Sequence, residues 1–240
     1  MEKIINFDNL RSFCYTNAHL VGEPKGIALS FFGLGGMSMF EEDPVEAKEL
    51  AEKGIIYVIP YYDPWCWMNR QAVAYTDEIV GVITGHYGMS DPAVVSSGGS
   101  MGGLSSLVYA AYAEITPKAV VSNCPVCDLP YHFTERPDLP RTLYAAFGQY
   151  DGTMDEAMRS ASPLHLALGG RMPDIGYRIF HCTADMEVNK EKHSDRLVSA
   201  LRDAGRDVTY IPVEGRGHCD LTPEMRERYL AYIAEEALNG

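Results

Sequence analysis

Short apolar runs alternate with amphipathic stretches along most of the chain. Residues 26–32, 55–60, 93–97, 119–122, 177–182 and 208–213 are apolar runs of strand length, the pattern of strands buried on both faces. Between them, residues 71–87, 101–112, 189–204 and 223–237 carry helical spacing. Asp43-Pro44 predicts an N-cap with proline at the first position of a helix running to about Lys53. This alternation predicts right-handed crossovers and a mostly parallel, doubly wound α/β sheet covered by helices on both faces. Residues 128–176 break the rhythm with Pro130, Pro137, Pro140, Pro163 and Pro173, and predict a short lid insertion within a single domain of residues 1–240. In such sheets ligands bind beyond the carboxyl ends of the strands, so chemistry is expected in the loops that follow them.

Composition narrows the classes. With 46% hydrophobic and 22% charged residues, the 240-residue chain is neither disordered nor a disulfide-stapled miniature scaffold. Twenty Lys and Arg against 33 Asp and Glu leave a net charge of −13, a field that opposes nucleic acid and anionic membrane surfaces. Residues 92–113 are uncharged and long enough to span a bilayer, but five Ser and four Gly fit a buried strand, turn and helix better. Met1-Glu2-Lys3-Ile4-Ile5 has no basic region leading into an apolar stretch, and the six Cys are scattered. A reduced, cytoplasmic protein without signal peptide is therefore expected, and self-association as a homo-oligomer is left open.

The sharpest chemical signal is Gly98-Gly99-Ser100-Met101-Gly102-Gly103, between an expected strand and an expected helix. It fits the Gly-x-Ser-x-Gly elbow, in which a tight turn lifts the serine above the sheet edge at a helix N-terminus. Side chains at Gly98 or Gly102 would collide with the crossing strand and helix. A serine hydroxyl needs a base, and His218 follows the expected strand 208–213 through a Gly215-Arg216-Gly217 turn. The other six histidines fit less well; His19, His86 and His193 read as surface residues. The imidazole needs an orienting carboxylate, for which Asp185 is preferred and Glu187 is the competitor. Ser100, Asp185 and His218 then stand in the chain order of elbow-type hydrolases. The amides of Met101 and Leu34, the latter in Phe32-Gly33-Leu34-Gly35-Gly36, are the expected oxyanion donors.

These residues resemble the α/β-hydrolase superfamily over nearly the whole chain. Ser162-Pro163-Leu164, residues 177–185, the helix near 196–201 and residues 213–218 are similar to its prolyl-oligopeptidase-type and small carboxylesterase branch. The resemblance implies a triad of the residues matching Ser100, Asp185 and His218, with an oxyanion hole at Leu34 and Met101. Phe32 stands where many relatives have His, and no propeller precedes the domain within these residues. Both features favour hydrolysis of small carboxylic esters over a peptidase or amidase acting on short peptides. A non-catalytic ligand-binding member of the fold is the further alternative. The expected partner is a small-molecule ester, with no metal or organic cofactor. Residues 61–68 hold both tryptophans and should overhang the site, so Gly33, Trp65 and Trp67 are candidate pocket residues, with packing beneath the lid as the competing role. Cys124-Pro125-Val126-Cys127 offers only half of a tetrahedral zinc site and no following helix to activate a thiol, so ordinary packing is expected there.

Overall fold

The computed structural model describes residues 4–36, 40 and 42–239; Met1-Glu2-Lys3, part of the leader reading, lies outside them. The chain runs β1 (Cys14–Thr16), β2 (Gly26–Phe31), α1 (Val45–Glu52), β3 (Ile55–Pro60), α2 (Arg70–Tyr87), β4 (Val94–Gly99), α3 (Met101–Tyr112) and β5 (Ala119–Asn123). Four short helices follow: α4 (Leu129–His132), α5 (Leu139–Phe147), α6 (Met154–Ser160) and α7 (Pro163–Leu168). The chain ends with β6 (Gly176–Cys182), α8 (Ser194–Asp203), β7 (Asp207–Val213) and α9 (Pro223–Leu238). The seven strands lie in the order β1-β3-β2-β4-β5-β6-β7, parallel except for β1, which pairs antiparallel with β3.

Strand periodicity divides the core. Ile27, Leu29 and Phe31 of β2 pack on one side with α2 and α3, while Ala28 faces the other side with Leu50 of α1 and Ile233 of α9. Both faces are thus covered. Helix α3 is buried along most of its length, which accounts for the uncharged stretch 92–113. No described helix is long and apolar enough to cross a membrane.

Order runs outward from β2 in both directions, to β3 on one side and β4 on the other. The loops after β2 and β4 therefore part at a topological switch point, where an open α/β sheet leaves a crevice.

Three local expectations are corrected. Asp43 does not cap α1; its carboxylate accepts from the Tyr15 hydroxyl at 2.8 Å and pairs with His19 at 3.0 Å, leaving Pro44 as the capping residue. Helix α8 begins at Ser194 rather than near 189, after turns in which Asn189 Oδ1 accepts the Lys192 amide. His193 is fully buried rather than on the surface, because its Nδ1 accepts the amides of Cys127 and Asp128 at 3.0 and 3.1 Å.

His193 is also part of the clamp that holds the helical segment 129–168. With Nδ1 occupied as an acceptor, its Nε2–H donates to Glu135 at 2.8 Å, and His132 Nδ1 meets the same carboxylate oxygen at 2.5 Å. Trp67 Nε1 donates to Thr142 at 3.0 Å, and Tyr112 donates to the Ser160 carbonyl at 2.6 Å. Burial alone would raise the Glu135 pKa, but the two imidazole contacts outweigh it and hold the pKa at about 2. A depressed carboxylate pKa contributes stability above the unfolded value and loses it as pH falls toward the folded one. Glu135→Ala should therefore cost about 2–4 kcal/mol at neutral pH. It should also flatten the loss of melting temperature between about pH 4.5 and pH 2. An unchanged melting curve and acid limb would contradict the clamp.

Candidate active site

Ser100 occupies the turn between β4 and α3 with φ 58° and ψ −123°, a backbone state disfavoured for a residue with a side chain. Two close approaches enforce it. A Cβ on Gly98 would overlap the Gly102 carbonyl, and one on Gly102 would overlap the carbonyl of Phe31 on the neighbouring strand. The Ser100 amide donates to the Asn123 carbonyl at 3.0 Å, fixing the turn to the end of β5. Ser96 and Ser97, buried in β4, donate to the carbonyls of Ser106 and Leu29, so the strand below carries no orphaned hydroxyl at these positions.

The loops after β6 and β7 are knitted together. Thr183 N donates to the Val213 carbonyl and Ala184 N to the Arg216 carbonyl, both at 2.9 Å, while Gly215 N donates to Thr183 Oγ1 at 2.9 Å. This brings Asp185 to His218, with Oδ2 at 2.7 Å from Nδ1. Asp185 Oδ1 accepts the amides of Glu187 and Val188 at 2.8 and 3.0 Å. The Asp185 side chain is wholly buried, yet its donors outweigh burial and keep it ionised far below the ordinary carboxylate range. Glu187, the competing acid, instead pairs with Arg136 between α4 and α5 and lends only its backbone amide.

His181 is a site residue that sequence reasoning did not select. It is fully buried in β6, and its Nε2 lies 3.4 Å from Asp185 Oδ2 and 3.2 Å from the Val188 carbonyl. Two acceptors at Nε2 place the proton there, so Nδ1 accepts from the Ser194 hydroxyl at 2.6 Å. His181 thus braces the carboxylate from behind. A histidine inside a strand carries no local signal for this role.

With Nδ1–H committed to Asp185, His218 presents Nε2 as an acceptor. That nitrogen lies 3.8 Å from Cys219 Sγ, which in turn contacts the Asn123 carbonyl that receives the Ser100 amide. The imidazole therefore stands in the same loop cluster as Ser100. No hydrogen bond joins the Ser100 hydroxyl to it among the described residues, and such contacts commonly tighten only with substrate bound. Burial opposes the charged ring, but the contacts with Asp185 and Cys124 together outweigh burial and raise the His218 pKa to about 9.

The loop after β2 comes close: a Cβ on Gly33 would lie 3.9 Å from Ser100 Cβ. The Tyr62 hydroxyl accepts the Phe32 amide at 2.8 Å and Gly35 N donates to the Pro64 carbonyl at 3.0 Å, so the loop after β3 supports it. Among the described residues, the amides of Leu34 and Met101 have no acceptor. Trp65 is half-exposed, its indole nitrogen 3.6 Å from where a Gly35 Cβ would stand. Trp67 departs from the pocket expectation; its ring is fully buried and its N–H is spent on Thr142. A cavity of about 360 Å³ opens on the Trp65 side, lined by Tyr61, Tyr62, Trp65, Cys66, Ala145 and Ala146 but not by Ser100.

A parallel sheet with a serine elbow at one strand end and a carboxylate–imidazole pair at two others is the layout of a serine hydrolase of the α/β-hydrolase fold. Residues 80–235, more than half of the chain, match the prolyl oligopeptidase family, and the chain belongs to that family. No curated protein sequence matches it. Among solved structures, a puromycin-hydrolyzing peptidase of Mycobacterium tuberculosis superposes with TM-score 0.72 at 20% identity, covering 91% of this chain and 35% of the peptidase. The chain thus spans about a third of that relative's length. An S-formylglutathione hydrolase from Agrobacterium tumefaciens gives TM-score 0.70 at 16% identity, covering 93% of this chain and 88% of that one. Esterase B from Lactobacillus Rhamnosis gives 0.65 at 13%, covering 90% and 78%. At these identities the likeness is one of fold.

If neutral His218 is the base, kcat/KM should rise with pH through an ionisation near pH 9. Asp185→Asn should move that midpoint downward and cut turnover by up to ~10⁴-fold, the scale of the serine-protease triad. A profile flat between about pH 6 and pH 10 would remove His218 from the role.

Proposed function

We propose that the protein hydrolyses carboxylic esters of small substrates through an acyl-enzyme on Ser100. The observation that carries this reading is the 2.7 Å Asp185–His218 pair, whose free Nε2 belongs to the loop cluster that holds the Ser100 elbow. His218 takes the Ser100 proton as the hydroxyl attacks the carbonyl, and Asp185 steadies the imidazolium. The Leu34 and Met101 amides, both without acceptors among the described residues, receive the oxyanion; donors of this kind are worth about 3–4 kcal/mol each. His218 then activates water, which releases the acid.

Phe32 beside the oxyanion loop and half-exposed Trp65 favour a compact, partly apolar ester over an extended peptide. The insertion at 128–176 serves as the lid of a single domain, and the reaction suits a reduced cytoplasmic setting. A peptidase or amidase acting on short peptides is the second reading, favoured by the match to the prolyl oligopeptidase family.

Side-by-side rates on p-nitrophenyl acyl esters and aminoacyl p-nitroanilides test the choice. Ester turnover should dominate, Ser100→Ala should abolish it, and Trp65→Ala should alter acyl preference mainly through KM. Dominant anilide turnover would reverse the ranking in favour of the peptidase.

A further inference from the structure

Cys124, His218 and Cys219 bring two thiol sulfurs and one imidazole nitrogen to within 4.8 Å of one another. We propose that these three side chains form an inhibitory site for a thiophilic divalent cation of the Zn²⁺ or Cd²⁺ class, which silences the base by occupying its lone pair. The inhibition, though not the binding, rests on the hydrolase reading above.

The geometry is close to what such an ion needs. Zn–S bonds of about 2.3 Å and Zn–N bonds of about 2.0–2.1 Å in a tetrahedron put sulfur and nitrogen ~3.5 Å apart. Cys219 Sγ and His218 Nε2 stand 3.8 Å apart, a few tenths of an ångström from that separation, and Cys124 Sγ lies within 4.8 Å of both ligand atoms. The surroundings also fit. His218 holds its other nitrogen on Asp185 at 2.7 Å, the carboxylate–imidazole arrangement that fixes the tautomer and basicity of a metal-bound histidine. Cys124 Sγ accepts the amides of Cys182 and Cys219 at 3.3 and 3.4 Å, contacts that strengthen when the sulfur becomes a thiolate. The partly buried Cys219 and the His218 ring, 22% exposed, leave a route for the ion.

In two neighbouring clusters of the right residue types, the histidine nitrogens that meet the other ligands are already engaged. In His132–Glu135–His193, both His193 nitrogens are engaged, Nδ1 by two backbone amides and Nε2 by Glu135. In Cys124–His181–Asp185, His181 Nε2 points its proton at two acceptors and Nδ1 takes the Ser194 hydroxyl. Of the three clusters, the one at His218 sets an imidazole lone pair against sulfur. Binding converts both thiols to thiolates and releases two protons to solvent; no electron is transferred. Water or a substrate oxygen fills the fourth position.

Titration of the purified protein with Zn²⁺, and with Cd²⁺ followed by its ultraviolet thiolate charge-transfer band, tests the site. One equivalent should bind the parent, Cys127→Ser and Ser100→Ala alike, and affinity should fall by at least about 100-fold in Cys219→Ser and Cys124→Ser. His218→Gln gives the same reading if a cysteine variant fails to fold. Zn²⁺ should inhibit ester turnover in the parent reversibly with a chelator, and should not inhibit Cys219→Ser relative to its own metal-free rate. Equal affinity in parent, Cys219→Ser and His218→Gln would overturn the site. Hydrolysis without such binding would remove this inference alone. Binding through these residues in a protein that hydrolyses no ester would remove the hydrolase reading and its inhibitory consequence, while leaving the cation site.

Discussion

The turn at Ser100 is held where a side-chain-bearing residue does not rest unaided, at φ 58°. Such a conformation costs about 1–3 kcal/mol and persists only because its surroundings over-determine it. Here Gly98 and Gly102 let α3 press against the end of β2, and the Asn123 carbonyl ties the Ser100 amide to β5. The strain lies at the point where neighbouring crossovers leave β2 in opposite directions. One constraint thus sets the serine at the crevice and at the N-terminus of a buried helix, with the Met101 amide beside it.

What faces that serine is built by a different means. The loops after β6 and β7 exchange backbone hydrogen bonds, and their meeting point is a buried carboxylate with four donors around it. Desolvation works against the Asp185 charge, and the two imidazoles and two amides more than compensate. His181 belongs to this unit as much as His218 does, since it bears on the same carboxylate oxygen. The proposed catalytic base is therefore oriented by a network rather than by a single contact. The same orientation leaves its free nitrogen facing two sulfurs.

Legibility in the sequence followed the range of the controlling interaction. Strand Ile55–Pro60 and helix Met101–Tyr112 match residue for residue, because glycines and a buried apolar run mark their ends locally. Strand Cys14–Thr16 is too short to show a period. Between β5 and β6, Pro130, Pro140 and Pro163 read as breakers but stand in the first turns of α4, α5 and α7, where a missing amide hydrogen costs nothing. Asp43 and His193 are taken from their expected local roles by partners far along the chain. In the candidate site, the motif reading names Asp185 and His218, far apart along the chain, and the fold brings them to 2.7 Å. His181, the burial of Trp67 and the meeting of Cys124 with Cys219 depend on tertiary contacts that no spacing announces.

A fluorophosphonate probe followed by intact-mass and peptide mapping asks the central question directly, because only an activated serine beside a working base and oxyanion donors reacts rapidly. A single adduct on Ser100, absent from Ser100→Ala, is the predicted result. An adduct on another serine, or none on folded protein, would contradict the account.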